Sequence, residues 1–168
     1  NRSIEEAVSC ISKLRNKIGL ETPLMLDLAS PQDPNISLKL ASLIKEFKPY
    51  WFEEPIDGQS TRLLASIKKQ TGLKIVTGEK QFGLQHFIET LAANAADILN
   101  PDIAGVGGLI DMIKISEMSK KNNVNVSPHC WNSMTIAASA MLHFCASNSN
   151  VDMAEIYPEY ISNGLRYS

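Results

Sequence analysis

No run of about 18 consecutive apolar residues occurs in this 168-residue chain, so the sequence offers no candidate for a membrane-spanning helix. Basic charge is not in excess either. The formal net charge is −2, which excludes the positive field that nucleic-acid binding requires. No secretory leader is visible. Cysteine is scarce: Cys10, Cys130 and Cys145 form an odd set without metal-ligand spacing, which predicts reduced thiols and a cytoplasmic compartment. Linkers and low-complexity tracts are missing. What is present is 44% hydrophobic and 20% charged, an ordinary globular composition with enough apolar residues for one core.

Aromatic residues make up only 7% of the chain, yet three stand together in Tyr50-Trp51-Phe52, followed directly by Glu53-Glu54 and closed by Pro55. Such a run reads as a short buried strand that stops at a loop. Successive strand residues face opposite sides, so Glu53 and Glu54 cannot share one role. Alone, the pair is no more than a solvated strand end. It is not alone. Apolar runs also lead into Asp27, Glu79, Asp102, His129 and Glu155, and the steps between the six are 26, 26, 23, 27 and 26 residues.

Helical patterns fill the intervals. Ile4, Ala7, Val8, Ile11, Leu14 and Ile18 recur at helical spacing behind Ser3 and Glu6, which have the form of a capping box, with Gly19 as the stop. Ser37 and Ser60 are expected to open the next two helices, the first using Leu38, Ala41, Leu43, Ile44 and Phe47, the second Leu63, Leu64 and Ile67. Further helices are expected near 84–93, from Leu109 to about Lys121, and from Thr135 to Cys145, and the strand ending near Asp102 leads into Gly105-Val106-Gly107-Gly108. Strand and helix alternate throughout, which predicts a parallel sheet covered by helices. A repeat near 26 residues approaches the roughly 30 per unit of a (β/α)8 TIM-type barrel of about 250 residues. An open doubly wound sheet is the alternative, but it gathers ligands at one switch point and does not need an ionisable residue at every strand end. A barrel brings all strand C-termini to one mouth. The six strands expected to end near Asp27, Glu53, Glu79, Asp102, His129 and Glu155 predict an incomplete barrel spanning 1–168.

Three carboxylates at consecutive strand ends, Asp27, Glu53 and Glu79, make a hard-oxygen site suited to a divalent cation such as Mg²⁺; the competing reading is three unrelated solvated acids. Asp102 beside His129 can accept a proton from one imidazole nitrogen, fix the tautomer and raise the basicity of the other. Glu155 is a candidate hydrogen-bond partner for a substrate.

The runs Leu26-Asp27, Trp51-Phe52-Glu53-Glu54-Pro55, Gly78-Glu79, Asn100-Pro101-Asp102-Ile103-Ala104-Gly105-Val106-Gly107-Gly108 and Ser127-Pro128-His129-Cys130-Trp131-Asn132 together resemble the enolase superfamily, and within it the mandelate racemase group. The resemblance covers most of the chain. It implies Mg²⁺-assisted abstraction of the proton next to a carboxylate, on a small carboxylate substrate such as an acid sugar or 2-hydroxy acid. It makes Asp27, Glu53 and Glu79 the metal ligands, Asp102 and His129 the dyad with His129 as general base, and Glu155 the acid that meets the substrate carboxylate. Glu54 matches the second, non-ligand Glu of the pair. Lys80 and Trp131, just after Glu79 and His129, are expected to contact substrate.

The sequence departs from the family at Ala29, where Asn is common, and at Lys80, where Asn or His is common. The family's Lys-x-Lys strand and N-terminal α+β capping domain are not in this stretch. The 103–108 segment holds no Lys, which disfavours the muconate cycloisomerase and dipeptide epimerase subgroup. The expectation is therefore an acid-sugar dehydratase, with a racemase or epimerase of 2-hydroxy acids as runner-up. A non-catalytic barrel remnant is the alternative of another class. An oligomer of identical chains is expected, because six parallel strands leave two open edges. The stretch by itself is expected to be inactive and prone to association.

Overall fold

The computed structural model describes residues 3–29, 33–130 and 135–156. Helix α1 spans Ile4–Ile18, and the capping box is present: the Ser3 hydroxyl accepts the Glu6 N–H, and the Glu6 carboxylate accepts that of Ser3. Its inward face is Ile4, Ala7, Val8 and Ile11, while Leu14 lies exposed. Strand β1 (Met25–Asp27), α2 (Pro34–Ile44), β2 (Trp51–Glu53), α3 (Thr61–Thr71), β3 (Ile75–Thr77) and α4 (Leu84–Ala92) follow. After them come β4 (Ile98–Leu99), a short α5 (Ile103–Val106), α6 (Leu109–Lys121), β5 (Asn125–Val126) and α7 (Thr135–Ser147).

The five strands form one parallel sheet in the order β1-β2-β3-β4-β5, each joined to the next through helix. A doubly wound sheet reverses its order at a switch point. This one never does, so the alternative architecture is excluded and the winding is that of a barrel. The sheet's two faces follow from side-chain alternation. Phe52 and Ile75 pack beneath α1, α2 and α3, and Leu99 packs beneath α4, α6 and α7. Trp51, Val76 and Ile98 face the other way and form a separate inner cluster with Tyr50 and Met153. By the same alternation Asp27, two residues after Met25, and Glu53, two after Trp51, face inward.

Several expectations are corrected. The sixth strand is reduced to a single bridge between Val126 and Val151. Pro128 has no N–H to extend the ladder. In its place the Ser127 hydroxyl donates to Met153 O at 3.0 Å, and Glu155 N–H donates to Pro128 O at 3.1 Å. Pro101 and Pro128 likewise end β4 and β5 early, so Asp102 and His129 lie three residues beyond their strands and pair with each other through an isolated bridge. Glu79 sits two residues past β3. Helix α2 opens at Pro34 with Asp33 as N-cap, not at Ser37, whose hydroxyl instead donates to Pro55 O. Ser60 occupies the N-cap of α3 without a side-chain cap bond. Leu40, not Leu43, fills the core in α2, and Leu63 is exposed on α3. The stretch after Asp102, given no element in the sequence reading, forms α5, because the Asp102 carboxylate caps it by accepting Ala104 N–H at 2.8 Å.

Candidate active site

At the C-terminal ends of the strands, Asp27, Glu53 and Glu79 each offer an oxygen within 4.8 Å of the other two. The register places Asp27 directly beside Glu53. Asp27 is oriented by the Ala29 N–H, which donates to Oδ1 at 2.7 Å. Ala29 adopts a φ of +53°, a region in which Asn is several-fold enriched, so the family's common residue at this position has a backbone reason. Glu53 accepts Asn100 Nδ2–H at 2.6 Å on Oε1. Burial first, then the charges of Asp27, Glu155 and Glu79, push the Glu53 carboxyl up to about 8. Burial also raises Asp27, assisted by the charge of Glu79.

His129 is buried beside this cluster. Its Nδ1–H donates to Asp102 Oδ2 at 2.9 Å, and Oδ1 of the same carboxylate is held by the α5 cap. That leaves Nε2 aimed at Glu79 Oε2, 3.3 Å away, and Glu155 Oε2, 3.6 Å away. Burial opposes the imidazolium. The hydrogen bond to Asp102 and the charges of Glu155, Glu79 and Asp102 outweigh it, and the His129 pKa is raised. Glu155 is exposed and is anchored by Cys130 N–H, which donates to Oε2 at 2.8 Å. A cavity of about 210 Å³ opens between these groups, lined among others by Asp27, Glu53, Asn100, His129 and Glu155.

All the predicted site residues that the structure describes therefore converge. Lys80 joins them through Glu79: its ammonium lies 3.0 Å from Glu79 Oε1 and donates to Ala29 O. Trp131 lies outside the described residues. Glu54 faces away from the cavity, as alternation requires. His86 and His143, on α4 and α7, stand apart from the site.

Asn100 is a site residue that sequence reasoning missed. The available signal was its place before Pro101-Asp102, at the end of an apolar run. It is buried, its Oδ1 has no hydrogen-bond partner, and a Cβ on Gly78 would stand 3.2 Å from its backbone N and 3.3 Å from that Oδ1. Gly78 has φ +138°, so both space and backbone require glycine there.

The donor set fits a divalent cation. Three converging carboxylate oxygens are hard ligands, and a dication among them would offset the mutual repulsion of their charges.

Comparison with known proteins identifies the family and the fold. Residues 1–163 match the sequence model of the family described as enolase C-terminal domain-like. D-galactonate dehydratase of Ralstonia pickettii is 27% identical over 155 residues, covering 92% of this chain and 40% of that protein. The crystal structure of an enolase from environmental genome shotgun sequencing of the Sargasso Sea superposes with TM-score 0.94 at 49% identity, covering 99% of this chain and 44% of the other. L-talarate dehydratase from Polaromonas sp. JS666, solved with Mg and L-glucarate, superposes with TM-score 0.86 at 22% identity, covering 96% and 43% of the two chains. The chain thus spans about 40% of the length of the curated relatives it matches. The sheet is part of a TIM-type barrel, and the chain belongs to the enolase C-terminal domain-like family.

Proposed function

We propose that these residues carry the base and the cation ligands of an enzyme that removes the proton α to a carboxylate, and that the reaction is dehydration of an acid sugar. The observation that carries this is the position of His129. Its Nδ1 is committed to Asp102 while Nε2 points at Glu79, the carboxylate that converges with Asp27 and Glu53. Asp102 fixes the tautomer and favours the imidazolium that forms when Nε2 takes the proton. A Mg²⁺ ion held by Asp27, Glu53 and Glu79 would supply positive charge opposite the negative charge that develops on the substrate carboxylate. Glu155, exposed at the mouth beside Nε2, is placed to meet the substrate as a hydrogen-bond partner. Lys80 and Trp131 belong to the same proposal as substrate contacts.

Loss of the β-hydroxyl together with the abstracted proton amounts to water and leaves an enol that becomes a 2-keto acid. The name of the curated relatives, D-galactonate dehydratase, supports this outcome over racemisation. We assign the enzyme to the cytoplasm. The described strands belong to one partial barrel domain, with β1 and the Val151 segment at the two ends of their order. Incubation of the intact protein with a panel of acid sugars and Mg²⁺ tests it. A 2-keto product supports dehydration. Inversion at the α-carbon without keto product moves the assignment to a racemase, and no reaction with any member of the panel favours a binding role.

A further inference from the structure

We infer that Glu54 is a positioning residue: its carboxylate, turned away from the cavity, is the strut that sets the spacing between Glu53 and Glu79. The inference rests on the proposal that these two carboxylates hold a cation. Glu54 directly follows Glu53 and is 1% exposed. Its Oε1 accepts two hydrogen bonds from the end of β3, from Thr77 Oγ1 at 2.6 Å and from Gly78 N–H at 3.0 Å. Gly78 in turn directly precedes Glu79. One buried oxygen therefore links the residue after one ligand to the residue before another, across two adjacent strands. The link is reinforced by Glu54 N–H, which donates to Val76 O at 3.0 Å.

The surroundings are shaped around this contact. Glu54 adopts a φ of +41°, a conformation that costs a non-glycine residue energy and persists where neighbours over-determine it. A Cβ on Gly58 would fall 2.6 Å from Thr77 Oγ1 and 3.3 Å from Glu54 Oε2, so only glycine leaves room for the pair. Gly58 is itself fixed by Gln81 Nε2, which donates to its carbonyl at 2.8 Å. The second oxygen, Oε2, is buried with no hydrogen-bond partner. A carboxylate kept here by packing alone would give up nothing if it were replaced by an apolar side chain. This one retains an oxygen without a partner so that the other can hold Thr77 and Gly78.

The test follows Mn²⁺ binding to the intact protein by electron paramagnetic resonance, alongside thermal unfolding. Glu54→Gln keeps an acceptor oxygen for both donors, whereas Glu54→Ala removes it. Partners that orient ligands typically govern metal affinity by roughly 10- to 100-fold, and a loss of about that size is expected in Glu54→Ala, with Glu54→Gln within about threefold of wild type. Thr77→Val removes one donor at constant shape, and Gly58→Ala displaces the Thr77 hydroxyl. Both are expected to weaken Mn²⁺ in the same direction, and they carry the test if Glu54→Ala does not fold. Wild-type affinity in Glu54→Ala, or in both Thr77→Val and Gly58→Ala, overturns the strut while leaving the cation site standing. A wild-type protein that binds no Mn²⁺ overturns the cation site, and the strut with it.

Discussion

At the scale of single residues, the site is a concentration of negative charge organised by a few neutral donors. Glu53 shows the consequence most clearly, through its burial first and the neighbouring carboxylates second. Its carboxyl is pushed up to about 8 against an ordinary value of 4.5, so between those pH values the unfolded chain loses a proton that the folded chain keeps. Folding stability from this group is therefore undiminished below about 4.5 and declines as pH rises towards 8. The raised His129 pKa acts in the same direction, because its contribution is present below the ordinary 6.5 and is lost as pH rises through the folded value. In protein treated with chelator, Glu53→Gln should thus gain stability relative to wild type as pH rises through that window, read from melting temperatures at matched pH. A constant difference across the window would contradict the assignment. Asp102→Asn should lower turnover by roughly 10²-fold or more, through the tautomer and basicity of His129, since general-base catalysis is worth about 10²–10⁴-fold. The nearby Glu54→Ala should leave the histidine tautomer unchanged in nitrogen-15 spectra. That separates the roles of the two buried acids. The identities of these groups were legible in the sequence from their regular spacing. Asn100 was not, because an amide beside a carboxylate leaves no periodic trace.

At the scale of elements, three prolines explain both what the sequence showed and what it hid. Pro55, Pro101 and Pro128 each follow an apolar run, which made the ends of the strands readable. The same residues cannot donate to a neighbouring strand, so β4 and β5 stop short and the chemistry moves onto the following loops. Helix positions were legible from their 3.6-residue period, but faces were misassigned where two apolar residues adjoin: Leu63 beside Leu64 and Leu43 beside Ile44 cannot both point inward. Arg15 was missed entirely. A basic residue on an amphipathic helix reads as solvated, yet it is 5% exposed and its guanidinium donates to Phe47 O, Gly19 O, Thr22 O and Lys48 O at 2.9, 2.7, 2.8 and 3.1 Å. It ties the end of α1 and the approach to β1 to the turn before β2. Arg15→Met should cost about 3 kcal/mol, since several carbonyls would lose a charged donor. Chemical denaturation measures it. Because the clamp lies at the opposite end of β1 from Asp27, Mn²⁺ affinity should be unchanged, and a large loss of affinity would show that the two ends of the strand are coupled.

At the scale of the whole molecule, sequential parallel order is what turns a list of acids into a site. Each strand–helix unit delivers one ionisable residue to the same end of the sheet. The side chains of Asp27, Glu53, His129 and Glu155 therefore line one cavity, with Glu79 and Asp102 held against the two ring nitrogens of His129, although the six are spread from residue 27 to residue 155 of the sequence. The fold class was legible because the period of the acids matched the period of a barrel unit. The count of strands was less so, since Val151-Asp152-Met153-Ala154 has the composition of a strand but pairs through only one bridge. In the proposed reaction His129 removes the proton α to a carboxylate with a divalent cation bound among the three acids. The most direct measurement is proton NMR of an acid sugar such as galactonate in D₂O with Mg²⁺, comparing the intact wild-type protein with His129→Asn. The α-proton signal is expected to disappear with wild type, to persist when the cation is chelated, and to be lost at least about 10²-fold more slowly with His129→Asn. Loss of the α-proton at the wild-type rate in His129→Asn would contradict that role of His129.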